Sequence, residues 1–212
     1  MGKYQSGLLG DFQGGVGPVV GATWKGISYM RGRQRKSTKP RSQAQLQQQA
    51  KFSLLQTFLL SIRGVVMLGF NNGAIRMTGI NAAYAYNYKH AITGDYPSFA
   101  LNYGKVLVSA GQLLSATDML VTTAGKGILN FTWTDNSAMA MANANDRSMI
   151  VVHCPELNES AYITSGAERS KGNHEINVGI YLGKAVETWL AFVSADGTDV
   201  ATSVYTGQLV VL

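Results

Sequence analysis

Cationic side chains are concentrated in one short run of the chain. Six of the eleven residues at positions 31–41 are lysine or arginine, and no acidic residue occurs between Asp11 and Asp95. Such a run neutralises phosphate groups and releases their counterions, which gives affinity for polyanions without reading a base sequence. The candidate binding residues in and around the run are Lys25, Arg31, Arg33, Arg35, Lys36, Lys39, Arg41 and Lys51.

Two aromatic residues precede the run and are compatible with either of two kinds of partner. Trp24 and Tyr29 are candidates for stacking on nucleic-acid bases, and equally for packing against a protein neighbour. The cations have no nearby acid to pair with, so an acidic surface of a second copy would also satisfy them. Nucleic acid and protein association are therefore two alternatives for the same residues, and we favour association slightly.

The charge of the whole chain, +6, hides a contrast between its two parts. Residues 1–94 contain twelve Lys/Arg and one acid, whereas residues 95–212 contain six Lys/Arg and eleven acids. Such asymmetry indicates a polyanion partner, or docking of the basic part of one copy on the acidic part of the next. Charged residues are only 14% of the chain, against about 25% in typical soluble domains. We expect a homo-oligomer that also meets other structural proteins of an assembly.

Residues that would form a catalytic or metal centre are sparse. The chain has one cysteine, Cys154, and three histidines. A zinc site needs three or four ligands, and the adjacent His153 and Cys154 would point to opposite faces of a strand. The nucleophile-elbow, phosphate-loop and His-Glu-x-x-His motifs do not occur. We expect a protein that is not an enzyme and that needs no metal or cofactor.

The glycine-rich segment at residues 7–30 predicts short strands that lie against another surface. Its valine, isoleucine and aromatic residues favour extended pairing, and the glycines permit turns. Residues 19–23 and 27–31 are predicted as two strands joined at Lys25 and Gly26. Because the segment has few large apolar side chains, we expect an extended basic arm that needs a partner surface.

Two helices are predicted after the basic run. A Ser-x-x-Gln capping box begins the first, and apolar residues recur at helical spacing over residues 42–68. The second spans residues 80–93, with Asn81 as its cap, and places Tyr84 and Tyr88 on one face. The alternation of Tyr84, Tyr86 and Tyr88 would equally suit a strand, and the alanines of the segment favour the helix.

From about residue 103 onward, the chain predicts a β-sandwich. Short runs rich in Val, Ile, Thr, Tyr and Trp alternate with turn signals, at a spacing typical of immunoglobulin-like or fibronectin-type sandwiches. The eight predicted strands are residues 105–109, 119–123, 128–134, 149–153, 162–165, 175–181, 188–194 and 204–211. The expected fold class is α+β: an extended basic N-terminal arm and helices, followed by an immunoglobulin- or fibronectin-like antiparallel β-sandwich.

The domain boundary is predicted where the charge balance changes sign. Residues 1–94 would form the glycine-rich basic arm and helical segment, and residues 95–212 the immunoglobulin-like sandwich. The Trp and Tyr rings of the sandwich are interpreted as core, and a glycan site lined by them is kept as an alternative.

No membrane association is expected. The N-terminal residues lack the apolar core of a signal peptide. The most apolar stretch, residues 54–70, is interrupted by polar residues and falls short of the roughly 20 apolar residues that a span needs. The expected location is the cytoplasm or a virion-like particle.

The sequence resembles an uncharacterised family of bacterial and prophage-associated proteins. The similarity lies in GVGPVVGATWKGISYMR at residues 15–31, in KPRSQAQLQQ at residues 39–48, and in the stretch from Trp189 to Gly207. Gln49 stands where that family usually has arginine. The resemblance favours a structural protein, and the family has no settled activity that can be carried over. We therefore expect a non-enzymatic protein that self-assembles, virion- or filament-like, through its basic arm, with sequence-independent DNA or RNA binding as the alternative and glycan binding as the third.

Overall fold

The chain divides into two compact units, residues 1–42 and residues 43–212. The boundary predicted between residues 94 and 95 falls inside the second unit, and the independence of residues 95–212 stays a prediction. The computed structural model describes residues 2–3, 11–24, 26–34, 39–71, 77–137, 139 and 141–212.

The first unit is a small antiparallel sheet. Its described strands are β1 (Gly2–Lys3), β2 (Gly14–Val16), β3 (Val19–Trp24) and β4 (Ile27–Gly32), in the order β1-β4-β3-β2. The strands predicted at residues 19–23 and 27–31 are confirmed as β3 and β4. Gly17 and Gly26 have the positive φ angles that tight turns between strands require. Residues 14–32 therefore form a hairpin-rich sheet rather than an extended arm.

The single helix predicted over residues 42–68 is two helices. α1 (Gln43–Ser61) and α2 (Arg63–Gly69) are bent by 90° relative to each other. The Ser61 hydroxyl donates to the Phe58 carbonyl oxygen at 2.7 Å, and such bonding of serine to its own helix favours a bend. Among the described residues, no single helix is long and apolar enough to span a membrane. The bent pair of α1 and α2 reaches that length and hydropathy only when its two helices are counted together.

The next helix, α3 (Gly79–His90), begins at a threonine cap. The Thr78 hydroxyl oxygen accepts the Asn81 backbone N–H at 3.3 Å, which is the usual bond of an N-cap. The prediction that Asn81 is the cap is therefore wrong. Tyr84 and Tyr88 do share one face, with stacked rings 5.5 Å apart.

The remaining described strands form three antiparallel sheets. They are β5 (Ile92–Thr93), β6 (Ala100–Leu101), β7 (Thr117–Gly125), β8 (Ile128–Thr134), β9 (Arg147–Cys154), β10 (Glu159–Ile163), β11 (Asn173–Asn177), β12 (Ala185–Val193) and β13 (Val204–Val210). The large sheets have the orders β10-β9-β12-β13 and β11-β8-β7, and β5 pairs with β6. The strand predicted at residues 105–109 is wrong, because the Val108 and Ser109 N–H groups donate to the Ser203 hydroxyl instead of a strand.

The second unit has three layers, with the four-stranded sheet in the middle. Successive residues of a strand point to opposite faces of the sheet, and both faces of β9 and β12 are buried in a core. Ile150 and Leu190 belong to the core between the two large sheets. Val151 and Trp189 belong to a second core shared with the three helices. The helices are therefore part of the same packed body as the β-sandwich.

Candidate functional site

One face of the N-terminal sheet is open. The register of β3 with β4 pairs Trp24 with Ile27, Ala22 with Tyr29, and Val20 with Arg31. Paired residues point to the same side of a sheet, and pairs two positions apart share that side. Trp24 is 50% exposed and Ile27 is 40% exposed. This surface, which we call the open face, thus runs from an apolar and aromatic end to a cationic end.

The opposite face is covered by residues 11–13. The Ser28 hydroxyl donates to the Asp11 carboxylate, and the Gln13 amide donates to the Thr23 hydroxyl at 3.4 Å. A Cβ at Gly21 would lie 2.3 Å from the Phe12 carbonyl oxygen, so glycine is needed for this approach.

The described part of the first unit has very little buried surface. Among its described residues, only Gly21 and Ser28 are buried. The described residues of this unit therefore form no apolar core of their own.

The structure places several predicted binding residues together. Trp24, Tyr29 and Arg31 lie on the open face. Arg33 follows β4, and its N–H extends the ladder by donating to the Pro18 carbonyl oxygen at 2.8 Å.

The other predicted binding residues that the structure describes, Lys39, Arg41 and Lys51, lie outside β3 and β4. Lys39 and Arg41 are exposed and precede α1. Lys51 lies in α1, in the second unit, with its Nζ 4.8 Å from the centre of the Phe99 ring. Lys25, Arg35 and Lys36 lie outside the described residues.

A row of polar side chains crosses the interface between α1 and the four-stranded sheet. This polar row consists of Ser61, Ser160, His153, Glu187 and Gln208. The hydroxyls of Ser61 and Ser160 are 2.7 Å apart, and the Ser160 hydroxyl lies 2.9 Å from His153 Nδ1. Ser160, His153 and Glu187 are direct neighbours on β10, β9 and β12.

The serine–histidine contact has the residue types of a nucleophile and its base, but its surroundings do not favour catalysis. His153 is 1% exposed, and burial lowers the pKa of its imidazole to about 4, which leaves a weak base at neutral pH. Both carboxylate oxygens of Glu187 are engaged, by the Tyr205 hydroxyl at 2.5 Å and the Gln208 amide at 2.8 Å. We interpret the polar row as a structural link between α1 and the sheet.

A buried ion pair stabilises one end of the sandwich. Asp146 Oδ2 lies 3.1 Å from both Nε and Nη2 of Arg169, and both side chains are almost fully buried. The guanidinium carbon of Arg169 lies 4.2 Å from the centre of the Phe192 ring. Its other partners are the Asn136 side-chain oxygen at 2.7 Å and the Leu114 carbonyl oxygen at 2.8 Å.

Sequence reasoning missed this pair. Arg169 lies 23 residues from Asp146 along the chain. No local spacing signals such a contact. Among the residues that the structure describes, no group of three His, Cys, Asp or Glu side chains is placed to hold a metal ion.

Most of the large rings considered for glycan binding are packed inside the second unit. Trp189 is fully buried, Tyr181 is 1% exposed and Trp133 is 6% exposed. The Trp189 indole N–H donates to the Val106 carbonyl oxygen at 3.2 Å, as a buried indole requires. Tyr162 is 40% exposed and lies on β10. These rings supply core packing rather than a continuous stripe on the surface.

Comparison with known proteins gives a family match and a distant structural likeness. Residues 11–207 match the model described as "Family of unknown function (DUF6266)". No curated protein matches the sequence. Among solved structures, the fn3 domain of human collagen alpha-1(XX) chain is 10% identical, with a TM-score of 0.36, and the match covers 49% of this chain and 90% of that domain.

Proposed function

Because the chain belongs to the DUF6266 family, whose function is unknown, we propose a function from its own surfaces: it is a non-enzymatic structural protein whose copies associate through the open face. The single observation that carries this proposal is the exposed apolar end of the N-terminal sheet, where Trp24 lies beside Ile27. Exposed apolar patches bordered by polar residues mark association surfaces.

The proposal also covers the kind of particle in which the protein assembles and the type of its β-sandwich. We place the protein in a virion- or filament-like particle, in line with its resemblance to prophage-associated proteins. We also assign the sandwich to the fibronectin or immunoglobulin type. Its three-plus-four arrangement of antiparallel strands around one core supports this assignment.

The test is the oligomeric state of the full chain. Sedimentation over a range of concentrations should show association, and Trp24→Ser with Ile27→Ser should shift the chain towards monomer. The matched control is Leu120→Ser with Ile180→Ser, which removes two exposed apolar side chains from the second unit and should leave association unchanged. A wild-type chain that stays monomeric at its highest soluble concentration would refute the proposal.

Sequence-independent nucleic-acid binding is the second candidate. It is favoured by the placement of Trp24, Tyr29 and Arg31 on one face, which combines stacking rings with a cation. Binding to a single-stranded oligonucleotide should weaken steeply with salt. Neutralising Arg31 and Arg33 with glutamine should reduce the salt slope by about 1 per cation removed. The control is Lys126→Gln with Lys171→Gln, and equal slopes for both pairs would reject this candidate.

A further inference from the structure

An acidic cavity lies at one end of the sandwich, entirely within the second unit. It has a volume of about 510 Å³ and lies between the segment around Asn143 and the turn after β12. Three carboxylates line it, those of Asp146, Asp196 and Asp199, and its described lining includes no lysine, arginine or histidine. We call it the acidic pocket.

Asp146, which lines the acidic pocket, has one carboxylate oxygen that no described donor satisfies. Its Oδ2 atom accepts the Asn143 N–H at 2.9 Å and faces Arg169. Its Oδ1 atom is buried and has no hydrogen-bond partner among the described residues. A buried acceptor without a donor is costly. Because Asp146 lines the acidic pocket, a ligand that carries N–H groups into the pocket would lie beside this incompletely satisfied carboxylate.

The mouth of the acidic pocket carries fixed negative charge. Hydrogen bonds from Ser194 and Thr198 to the Asp196 carboxylate lower its pKa to about 2, so that it is ionised under all ordinary conditions. Asp199 lies beside it in the same turn and also lines the pocket.

The walls of the acidic pocket add an apolar stretch to this charge. Leu113, Met141 and Ala195 line the cavity, and Met141 is 58% exposed. Lysine and arginine side chains complement such a lining, because their apolar stem can contact the apolar walls while their cationic head lies near the carboxylates. Methionine adapts its shape to such a stem. The lining therefore fits a basic side chain better than a bare metal ion, in agreement with the absence of a three-ligand group among the described residues.

We propose that the acidic pocket receives a lysine or arginine side chain from the basic run, residues 31–41, of a second copy of this chain. Charge complementarity selects this occupant. Residues 1–42 carry eight Lys/Arg and one acid, whereas residues 95–212 carry eleven acids and six Lys/Arg. The inference rests on the proposed self-association and names the surface that receives the basic run.

The experiment compares full-length variants by sedimentation. Asp196→Asn with Asp199→Asn removes the charge at the mouth, and the asparagine oxygen at position 196 can still accept the bonds that hold the turn. We expect self-association to weaken by about tenfold or more. The control, Glu159→Gln with Glu175→Gln, removes two charges from β10 and β11 and should change the dissociation constant little.

A double-mutant cycle then tests whether the pocket and the basic run meet. Replacing all six cations of the basic run with glutamine should weaken association on its own, and this effect should largely vanish once Asp196 and Asp199 are neutralised. Fully additive effects would overturn the inference, as would an unchanged dissociation constant in the Asp196/Asp199 variant; the proposed self-association would survive either result.

Titration with a peptide tests binding to the acidic pocket independently of the proposed self-association. A synthetic peptide of residues 29–42 is titrated against the full chain by calorimetry. Saturable binding that the Asp196/Asp199 variant loses supports the pocket, even if the full chain proves monomeric and the proposed function fails. Absence of binding, or equal binding to both proteins, overturns the inference.

Discussion

At the scale of single residues, the stability of one end of the sandwich depends on the buried pair of Arg169 and Asp146. Removing two charges from water is costly, and the attraction between them recovers that cost only when further bonds satisfy both groups. The Arg169 guanidinium has those bonds: it donates to the Asn136 side-chain oxygen and the Leu114 carbonyl oxygen, and it also lies over the Phe192 ring. Asp146 has them on one oxygen only. Removing one partner of the pair is therefore expected to lower the free energy of unfolding more than replacing both partners with apolar residues.

Arg169→Met should lower the free energy of unfolding by about 3–5 kcal/mol, because it leaves the Asp146 charge buried without its partner. Urea denaturation followed by circular dichroism measures the change. The double variant Arg169→Met with Asp146→Leu should recover part of the loss, since both charges are then gone. A loss below about 1 kcal/mol for Arg169→Met would contradict this account of the pair.

His153 should make stability depend on pH. Burial lowers its pKa from 6.5 to about 4 in the folded chain. Between these values the unfolded chain binds a proton that the folded chain does not, so the free energy of unfolding falls as pH drops from about 6.5 to about 4. The fall should be roughly 3 kcal/mol, and His153→Gln should remove it.

The difference between wild type and His153→Gln isolates this effect. Burial also lowers the pKa of His174, which gives a slope of the same sign in both proteins. Glu187, the neighbour of His153 across the sheet, is likewise present in both. Parallel pH profiles for the two proteins would show that protonation of His153 does not set the slope.

At the scale of elements, local patterns were predictable and long-range contacts were not. β8 begins and ends where the alternation of Leu129, Phe131 and Trp133 with polar residues predicted. β12 shows no alternation in burial, because helices cover one of its faces and the second sheet covers the other. The bend between α1 and α2 falls at Ser61, whose hydroxyl contacts Ser160 of a strand that is distant in sequence, a contact that no local pattern signals.

The covered side of the N-terminal sheet depends on Gly21. Gly21→Ala should push Phe12 off the sheet, because the new methyl group would overlap the Phe12 carbonyl oxygen. Amide hydrogen exchange in β3 and β4 should accelerate, in line with the roughly 1–3 kcal/mol that overpacking costs. Gly15→Ala is the control, since a Cβ at Gly15 meets nothing within 4 Å. Equal exchange in both variants would contradict the packing of residues 11–13 on this face.

At the scale of the whole molecule, charge and core give different divisions of the chain. The sign of the charge changes near residue 95, and this suggested a boundary there. Charge reports the surface, however, whereas the position of a boundary depends on which apolar faces need each other. Leu55 and Phe58 of α1 lie in one core with Val151 and Trp189 of the central sheet. The two compact units meet instead at residues 42 and 43.

Two fragments test this division directly. Residues 43–212 keep both cores, so this fragment should unfold cooperatively, with a midpoint close to that of the full chain. Residues 95–212 would expose the helix-facing side of β9 and β12, including Met149, Val151 and Trp189. This fragment should therefore bind a hydrophobic dye, aggregate or lose its cooperative transition. A cooperative, dye-free fragment of residues 95–212 would instead establish the sandwich as a domain of its own and reduce the helices to a removable layer.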